Sequence, residues 1–456
     1  MLGVFGIIIS LILLIYLAYR GITVLILAPV LAMLAILISG DMSILVGYTQ
    51  VFMAAFASYA KTYFPIFLLG AIFGKVMDDS GAAKSIAVFI ANRLGKEKAM
   101  LSVVISCAIL TYGGVSLFVV AFAVYPIAAA LFREAQIPKR FIPGTIALGA
   151  FTFTMTALPG TPQIQNAIPM TYFGTTAWAA PVLGVVASIV MFSLGLLWLS
   201  RRARKAMAAG EGYGVHRDEN IDQIDESKLP NFWLALLPIV LVLILNFIFG
   251  VFFGKMSDSL LEPYGTTISS VKGIWSLIVA LVISIIVAII VMRKSFISVK
   301  QSVNSGAIGS LLAIVNTSSE VGYGNVIKAL GAFAIIKTAL LSIPGTPLIS
   351  VSVATSVLAG VTGSASGGMS IALSALGDVY MQKAAVLGIN PQVFHRIAAI
   401  ACGGFDTLPH NGAVITLLGI TGLTHRESYA DIGMCTVIIP IIAAAVCIVL
   451  ASFGIV

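Results

Sequence analysis

Two ionisable side chains interrupt an otherwise apolar tract near the C-terminal end of the chain. The stretch "FDTLPHNGAV" at residues 405–414 carries Asp406 and His410 on either side of Pro409, with Thr407 and Asn411 beside them. A charge at the centre of a membrane costs roughly 2.5–3.5 kcal/mol even on a lenient insertion scale, so such groups usually face a cavity or one another. Histidine titrates near neutral pH, and the chemistry this pair suggests is proton exchange with a cavity. A spacing of four would stack the two on a helix, but Pro409 between them predicts a loop. The structural alternative is that Asp406 caps the following half-helix and His410 bonds a backbone carbonyl.

Three further glycine- or proline-rich breaks lie in apolar sequence, at residues 111–116, 157–166 and 362–368. Irregular backbone is tolerated at membrane depth only where protein or water satisfies its polar groups. Each break would expose half-helix N-termini, whose free N–H groups and positive dipole ends favour anions. Gly113, Gly114, Ser116, Thr161, Gln163 and Asn166 in the first half, and Gly363, Ser364, Ser366, Thr407, His410 and Asn411 in the second, are the candidate substrate-binding residues. Their side chains offer neutral hydrogen-bonding partners rather than fixed charge, a lining suited to a small carboxylate that binds and then leaves. The alternative for any single glycine or serine is close helix packing.

The elements that must position these residues follow from composition. Of 456 residues, 59% are apolar and 10% charged, with mean hydropathy +1.07; soluble domains carry roughly 25% charged residues. The chain is therefore an integral membrane protein whose partner is the lipid bilayer. Apolar runs such as 22–38, 180–199, 232–253 and 432–453 approach the roughly 20 residues that span a bilayer, which predicts an all-α polytopic bundle. The net charge of +8 fits cytoplasmic loops and does not point to nucleic acid. The four cysteines lie in apolar segments without a CxxC pair and are read as packing residues. The first apolar run starts at Met1 without a basic region before it, so it is read as a retained helix. With four histidines and no HExxH, no metal site is expected. No P-loop or second aspartate motif supports ATP-driven transport or an enzyme, and no cofactor is expected.

A polar stretch, residues 201–230, divides the chain into two apolar halves, 1–200 and 231–456. At an offset of 250, "TYGGVS" at 111–116 falls opposite "VTGSAS" at 361–366, and "TALPGT" at 156–161 opposite "DTLPHN" at 406–411. Each half then reads as three spans, a re-entrant hairpin (98–133 and 347–382), a broken helix (139–172 and 391–421) and a last span. The third span of the first half is expected at 62–78, with 43–59 as an interfacial helix that alternatively crosses. Five crossings per half make the two repeats inverted. With the linker 201–230 in the cytoplasm, 19 Lys/Arg fall inside and seven outside, Arg396 among the seven, which agrees with the positive-inside rule. Asp406 and His410 face Thr156 and Gly160 across the repeat, so a titratable coupling group would be one-sided. Glu320, after "NTSS", reads equally as a cavity carboxylate or a solvated helix end. Asp78 and Asp79 are placed at the cytoplasmic interface, and His395-Arg396 and His425-Arg426 in loops or snorkelling positions.

The assembled motifs resemble the gluconate permease (GntP) family within the ion transporter superfamily. The resemblance spans nearly the whole chain and is carried by "LLGAIFGKVMDDSGAAKSIA" at 68–87, "PGTPQIQNAIP" at 159–169, "GSASGGMSIALSAL" at 363–376 and "CGGFDTLPHNGAVITLLGITGLTHRESY" at 402–429. The last looks most like the 3-hydroxybutyrate permease branch. The gluconate branch has a histidine-containing proline motif where this chain has Gly160-Thr161, a departure that argues against a polyhydroxylated sugar acid. The resemblance implies proton-coupled uptake of a small organic monoanion across the bacterial inner membrane, with sodium coupling as the alternative. It further implies a scaffold-plus-transport-domain fold, a homodimer and elevator motion. It moves Gly113, Ser116, Thr161, Asn166, Ser364, Ser366, His410 and Asn411 toward substrate contact, and leaves Asp406 and His410 as the coupling groups. A passive channel or facilitator is the reading from another class.

Overall fold

The computed structural model describes residues 2–20, 22–216, 225–409 and 411–456. Helix makes up 81% of it, and no strand occurs among the described residues. The first half opens with α1 (Leu2–Tyr19) and α2 (Val24–Ser39). The Thr23 hydroxyl caps α2 at its start, and Gly40 ends it in the left-handed region at φ +71°. Next comes α3, a single helix of 36 residues over Ile44–Asp79.

This helix corrects the expectation of a separate interfacial segment at 43–59. Residues 53–64, "MAAFASYAKTYF", contain no glycine or proline, so nothing stops the helix before its buried part. A π-helical turn at Gly47–Phe52 absorbs the change of packing. At 1.5 Å per residue α3 is roughly 54 Å long, well beyond the roughly 30 Å hydrocarbon core. Its last turn is closed by Lys75 with Asp79 at 2.6 Å and Asp78 at 3.6 Å, so the two aspartates sit at the helix end, as the sequence predicts.

After α3 come the short helix α4 (Ala82–Leu94), the first hairpin α5 (Ala99–Tyr112) and α6 (Leu117–Glu134), and a broken helix. The broken helix is interrupted twice, as α7 (Ile142–Ala150), α8 (Phe153–Thr156) and α9 (Ile164–Phe173). The half ends with α10 (Pro181–Ala208), which runs eight residues into the stretch expected to be linker.

The second half repeats this order. It contains α11 (Phe232–Gly254), α12 (Ile268–Val291), the 31-residue α13 (Val299–Ala329) and the short α14 (Phe333–Leu341). The hairpin α15 (Pro347–Thr362) and α16 (Ala365–Leu387) follows, then the broken helix α17 (Pro391–Phe405) and α18 (Gly412–Thr421). The last helix, α19 (His425–Ser452), carries its own π turn at Met434–Ile438.

Packing separates two groups of helices. In one, the long helices α3 and α13 lie against each other, with α2 on α13 and α12 on α3, and the pairs α1–α2 and α11–α12 complete it. The backbones come close where Gly306 meets α3: a Cβ there would lie 2.7 Å from Ile72 Cα. In the other group each repeat reaches into its twin. Helix α9 of the first broken helix packs on α16 and α17, and α18 of the second packs on α6. The result is the all-helical, two-repeat fold with re-entrant hairpins and broken helices that the sequence predicts.

Candidate functional site

Each hairpin tip is locked to the broken helix of its own repeat by one side-chain amide. In the first repeat Gln163 occupies the N-cap position of α9 but does not cap it. Its Nε2 instead donates to the carbonyls of Thr111 at 2.8 Å and Val115 at 3.3 Å, satisfying the tip where α5 ends. Tyr112 Oη adds a hydrogen bond to the Pro159 carbonyl at 2.7 Å. The tip requires glycine: Gly114 has φ +98°, and a Cβ there would lie 2.8 Å from Pro162 Cγ. Gly113 abuts Ile239 of α11, which brings the tip against the other helix group. Ser116 is half-buried at the start of α6, without a capping hydrogen bond.

In the second repeat Asn411 does the corresponding work. Its Nδ2 donates to the Gly363 carbonyl at 2.8 Å, and its Oδ1 accepts from the N–H groups of Ala413 and Val414. Asn411, and not Asp406, therefore caps α18. The offset of 250 pairs Asn411 with Thr161, but the equivalent lock is made by Gln163 two residues on. Thr161 is instead buried with its hydroxyl unpartnered, as is that of Thr111.

The second break is also held from α19. His425 Nε2 donates to the Pro409 carbonyl at 2.8 Å, because a carbonyl can only accept, and Tyr429 Oη donates to the Thr407 carbonyl at 3.1 Å. The Thr407 hydroxyl donates to Thr436 Oγ1 at 2.7 Å. His425 is thus a loop anchor, not a snorkelling residue. Asp406 is half-buried, with Oδ1 unpartnered. His410 lies outside the described residues. Ser364 caps α16 through the Gly367 N–H at 3.1 Å, and Ser366 lies 3.4 Å from it.

His395 and Arg396 overturn their expected place in a loop. Both sit inside α17 and are fully buried, joining the second broken helix to the first. Asn166 Nδ2 donates to the carbonyls of Thr161 and Ala177, which leaves Oδ1 facing His395 Nε2 at 3.1 Å and Arg396 at 3.0 Å. His395 Nε2 must then carry the proton, so Nδ1 accepts from the Thr175 hydroxyl at 2.6 Å. Arg396 spends its remaining N–H groups on the carbonyls of Thr156, Ala177 and Ala179. No carboxylate reaches this guanidinium among the described residues. A buried cation satisfied only by neutral oxygens, beside the N-terminus of α9, leaves the first break electropositive.

Sequence reasoning also undervalued Asn246 and Glu320. Asn246, buried in α11, donates to the Gly160 carbonyl at 3.2 Å and ties the first break to the other helix group. Glu320 is buried in the middle of α13, not at a solvated end. The available signal was the polar run "NTSSEVGYGN" at 316–325 within a long helix. A cleft of about 150 Å³ beside Gly404 and Phe405 opens past Val353, Val357 and Ile441. It is apolar and carries no charged side chain, so it does not supply an anion site.

Comparison with known proteins agrees with this architecture. The family described as GntP family permease matches residues 1–453. The uncharacterized transporter YxjC of Bacillus subtilis is 47% identical over 443 residues, covering 93% of this chain and 94% of that protein. A gluconate permease of Bacillus subtilis is 28% identical over 269 residues, covering 55% of this chain and 56% of its own. Among solved structures, the YdaH transporter of Alcanivorax borkumensis aligns with a TM-score of 0.57 at 15% identity, over 89% of this chain and 88% of its own. Neisseria gonorrhoeae MtrF, described among antimetabolite efflux pumps, aligns at 0.53 and 10% identity over 89% and 83%. At these identities the two structures speak for the fold alone.

Proposed function

This chain belongs to the GntP permease family and is a membrane transporter, not an enzyme; on that premise we propose that it takes up a small organic monocarboxylate together with protons, 3-hydroxybutyrate being the model substrate. The observation that carries the anion is the first break. There Arg396 lacks a carboxylate partner, the N-terminus of α9 lacks a side-chain cap, and Thr111 and Thr161 hold unpartnered hydroxyls. A small carboxylate supplies the missing negative charge, accepting from the two hydroxyls and the N–H groups at the start of α9, while Arg396, its own N–H groups spent on protein oxygens, acts through its charge. Gly113, Gly114, Ser116, Gln163 and Asn166 shape this half of the site, and Gly363, Ser364, Ser366, Thr407, His410 and Asn411 the other. Asp406, with an unpartnered oxygen, and His410 are the coupling groups of this reading.

Movement of the hairpin and broken-helix group past α1–α3 and α11–α13 is the proposed elevator step, in a homodimer of the bacterial inner membrane with residues 201–230 in the cytoplasm. Gluconate is disfavoured by Gly160-Thr161, where Trp178 closes on Gly160 and leaves little room for a polyol.

Proteoliposomes loaded with purified protein should accumulate labelled 3-hydroxybutyrate when a pH gradient is imposed without sodium. Competition by acetoacetate and lactate, but not gluconate, is expected. An absolute sodium requirement would replace proton with sodium coupling, and equilibration without accumulation would identify a passive facilitator.

A further inference from the structure

Helix α13 is long enough to span a membrane but is not apolar enough to be recognised as a span. Its first two turns are polar, and a second polar segment is enclosed: Thr317, Ser318, Ser319, Glu320, Val321, Gly322, Tyr323 and Gly324 are all buried. Within it, Glu320 is 6% exposed and its Oε2 has no hydrogen-bond partner. The carboxylate points at the second hairpin. A Cβ on Gly367 would collide with Glu320 Oε2, and the Ser364 hydroxyl lies within reach of the carboxyl group. Tyr59 Oη of α3 and Ser370 Oγ of α16 face this place, buried and within reach of each other, with no close hydrogen bond to any other group.

An ionised carboxylate enclosed without a counter-charge is costly, so a positive charge must accompany Glu320. Its packing neighbours do not supply one. The titratable group facing it from α3 is Tyr59; Tyr63, a turn on, donates to the Ile168 carbonyl, and Lys75 pairs with Asp78 and Asp79 at the far end. Helix α2 contains no titratable side chain. On α13 itself Tyr323 turns to Ser10 at 2.8 Å, and Lys328 donates to the Ser374 carbonyl. On α16, Asp378, Tyr380 and Lys383 lie two or more turns beyond Ser370, with Tyr380 bonded to Ser350. A multivalent metal ion is a poor substitute, because Glu320 stands in no group of three His, Cys, Asp or Glu among the described residues; of the monovalent cations, the proton is the one that the coupling proposed above supplies.

We propose that Glu320 is a proton-binding site of the transport cycle, located where the long helix α13 meets the tip of the second hairpin. With the proton on its carboxyl group, Glu320 packs against Gly367 as observed. When the proton leaves to water, the carboxylate must be hydrated, and the hairpin tip has to part from α13. The same tip is tied to the second break by Asn411 and Gly363, so loss of the proton loosens one wall of the substrate site. This step rests on the proton-coupled reading given above, and assigns a carrier on α13, a different helix from the one that Asp406 ends.

The test uses the full-length protein in proteoliposomes, comparing wild type, Glu320→Gln and Glu320→Asp. Two readouts are needed: accumulation driven by a pH gradient, and counterflow of labelled against unlabelled 3-hydroxybutyrate. The glutamine imitates the neutral carboxyl, so it should keep counterflow within about twofold of wild type while losing accumulation and the pH dependence of uptake. The aspartate should keep a pH dependence with a displaced midpoint. Accumulation by Glu320→Gln equal to wild type overturns the proposal alone. Loss of counterflow along with accumulation, in protein that remains monodisperse, also overturns it, because Glu320 then serves binding or folding. Absence of pH-driven accumulation in wild type overturns the reading of the site as proton-coupled, and this assignment with it.

Discussion

At Arg396 five N–H groups meet carbonyl oxygens and the Asn166 amide in a place closed to solvent. Replacing it by leucine strands the carbonyl of Ala179, at a cost of roughly 1–3 kcal/mol, while that of Ala177 keeps its hydrogen bonds from Asn166 and the Gly160 N–H. Arg396→Leu should lower the melting temperature in detergent markedly, and an unchanged melting point would show that the guanidinium is not a rivet. The residue types at the breaks were legible in the sequence, since proline, glycine and polar side chains stand out in apolar tracts. Their division of labour was not. Asn411 caps α18 where Asp406 was the candidate cap, and Gln163 rather than Thr161 makes the lock in the first repeat. Those outcomes depend on which carbonyls the folded hairpins leave unpaired, a matter of distance that residue type does not contain.

At the scale of elements, the hairpins and broken helices were legible because glycine and proline punctuate apolar runs at matched intervals. The length of α3 was not, since Gly47, Thr49, Gln50 and Lys61 interrupt a largely apolar run, and only the folded structure shows one helix running through them. The start of the linker is held by a small device at the base of α7. Arg140 grips Glu211 with Nε to Oε1 at 2.6 Å and a second contact at 2.9 Å. The hydrogen bond from Arg140 holds the Glu211 carboxyl below its ordinary value. A depressed carboxyl contributes stability above its unfolded value, near 4.3, and loses it as pH falls through the lower folded value. The pair is partly exposed, so its worth is below about 1 kcal/mol. Hydrogen-exchange protection at residues 209–216, taken against the intrinsic rate at each pH, should fall on acidification below about pH 4, and Glu211→Gln should show the lower protection already at neutral pH. Equal exchange in both proteins at neutral pH would remove the clamp.

For the whole molecule, elevator motion requires the hairpin tips to leave α3 and α13 during transport. Gly74 of α3 and Ser116 at the first tip provide a direct probe. A Cβ built on Gly74 lies 3.8 Å from Ser116 Cβ, with no contact shorter than 3.4 Å, and this spacing suits a disulfide. The pair Gly74→Cys with Ser116→Cys should cross-link on oxidation and stop uptake reversibly, the four native cysteines being buried. Full uptake in the cross-linked protein would exclude relative movement at this contact. The charge distribution belongs to the same scale. Arg396 is enclosed by protein, so leaving it out of the outside cations strengthens the inside bias expected of the sequence.

Hydropathy and the recurring breaks by themselves determined a polytopic helical membrane protein with matched breaks in its two halves. Each of these is a property of residues near one another in sequence, and the bilayer acts on such segments one at a time. What only the tertiary structure decided is which polar groups are satisfied and by whom. His395 and Arg396 became an internal rivet, His425 an anchor for the second break, and Glu320 a buried carboxylate facing a hairpin tip. Each partner lies on another helix, often more than 200 residues away, and a burial cost is set by surroundings that only packing creates.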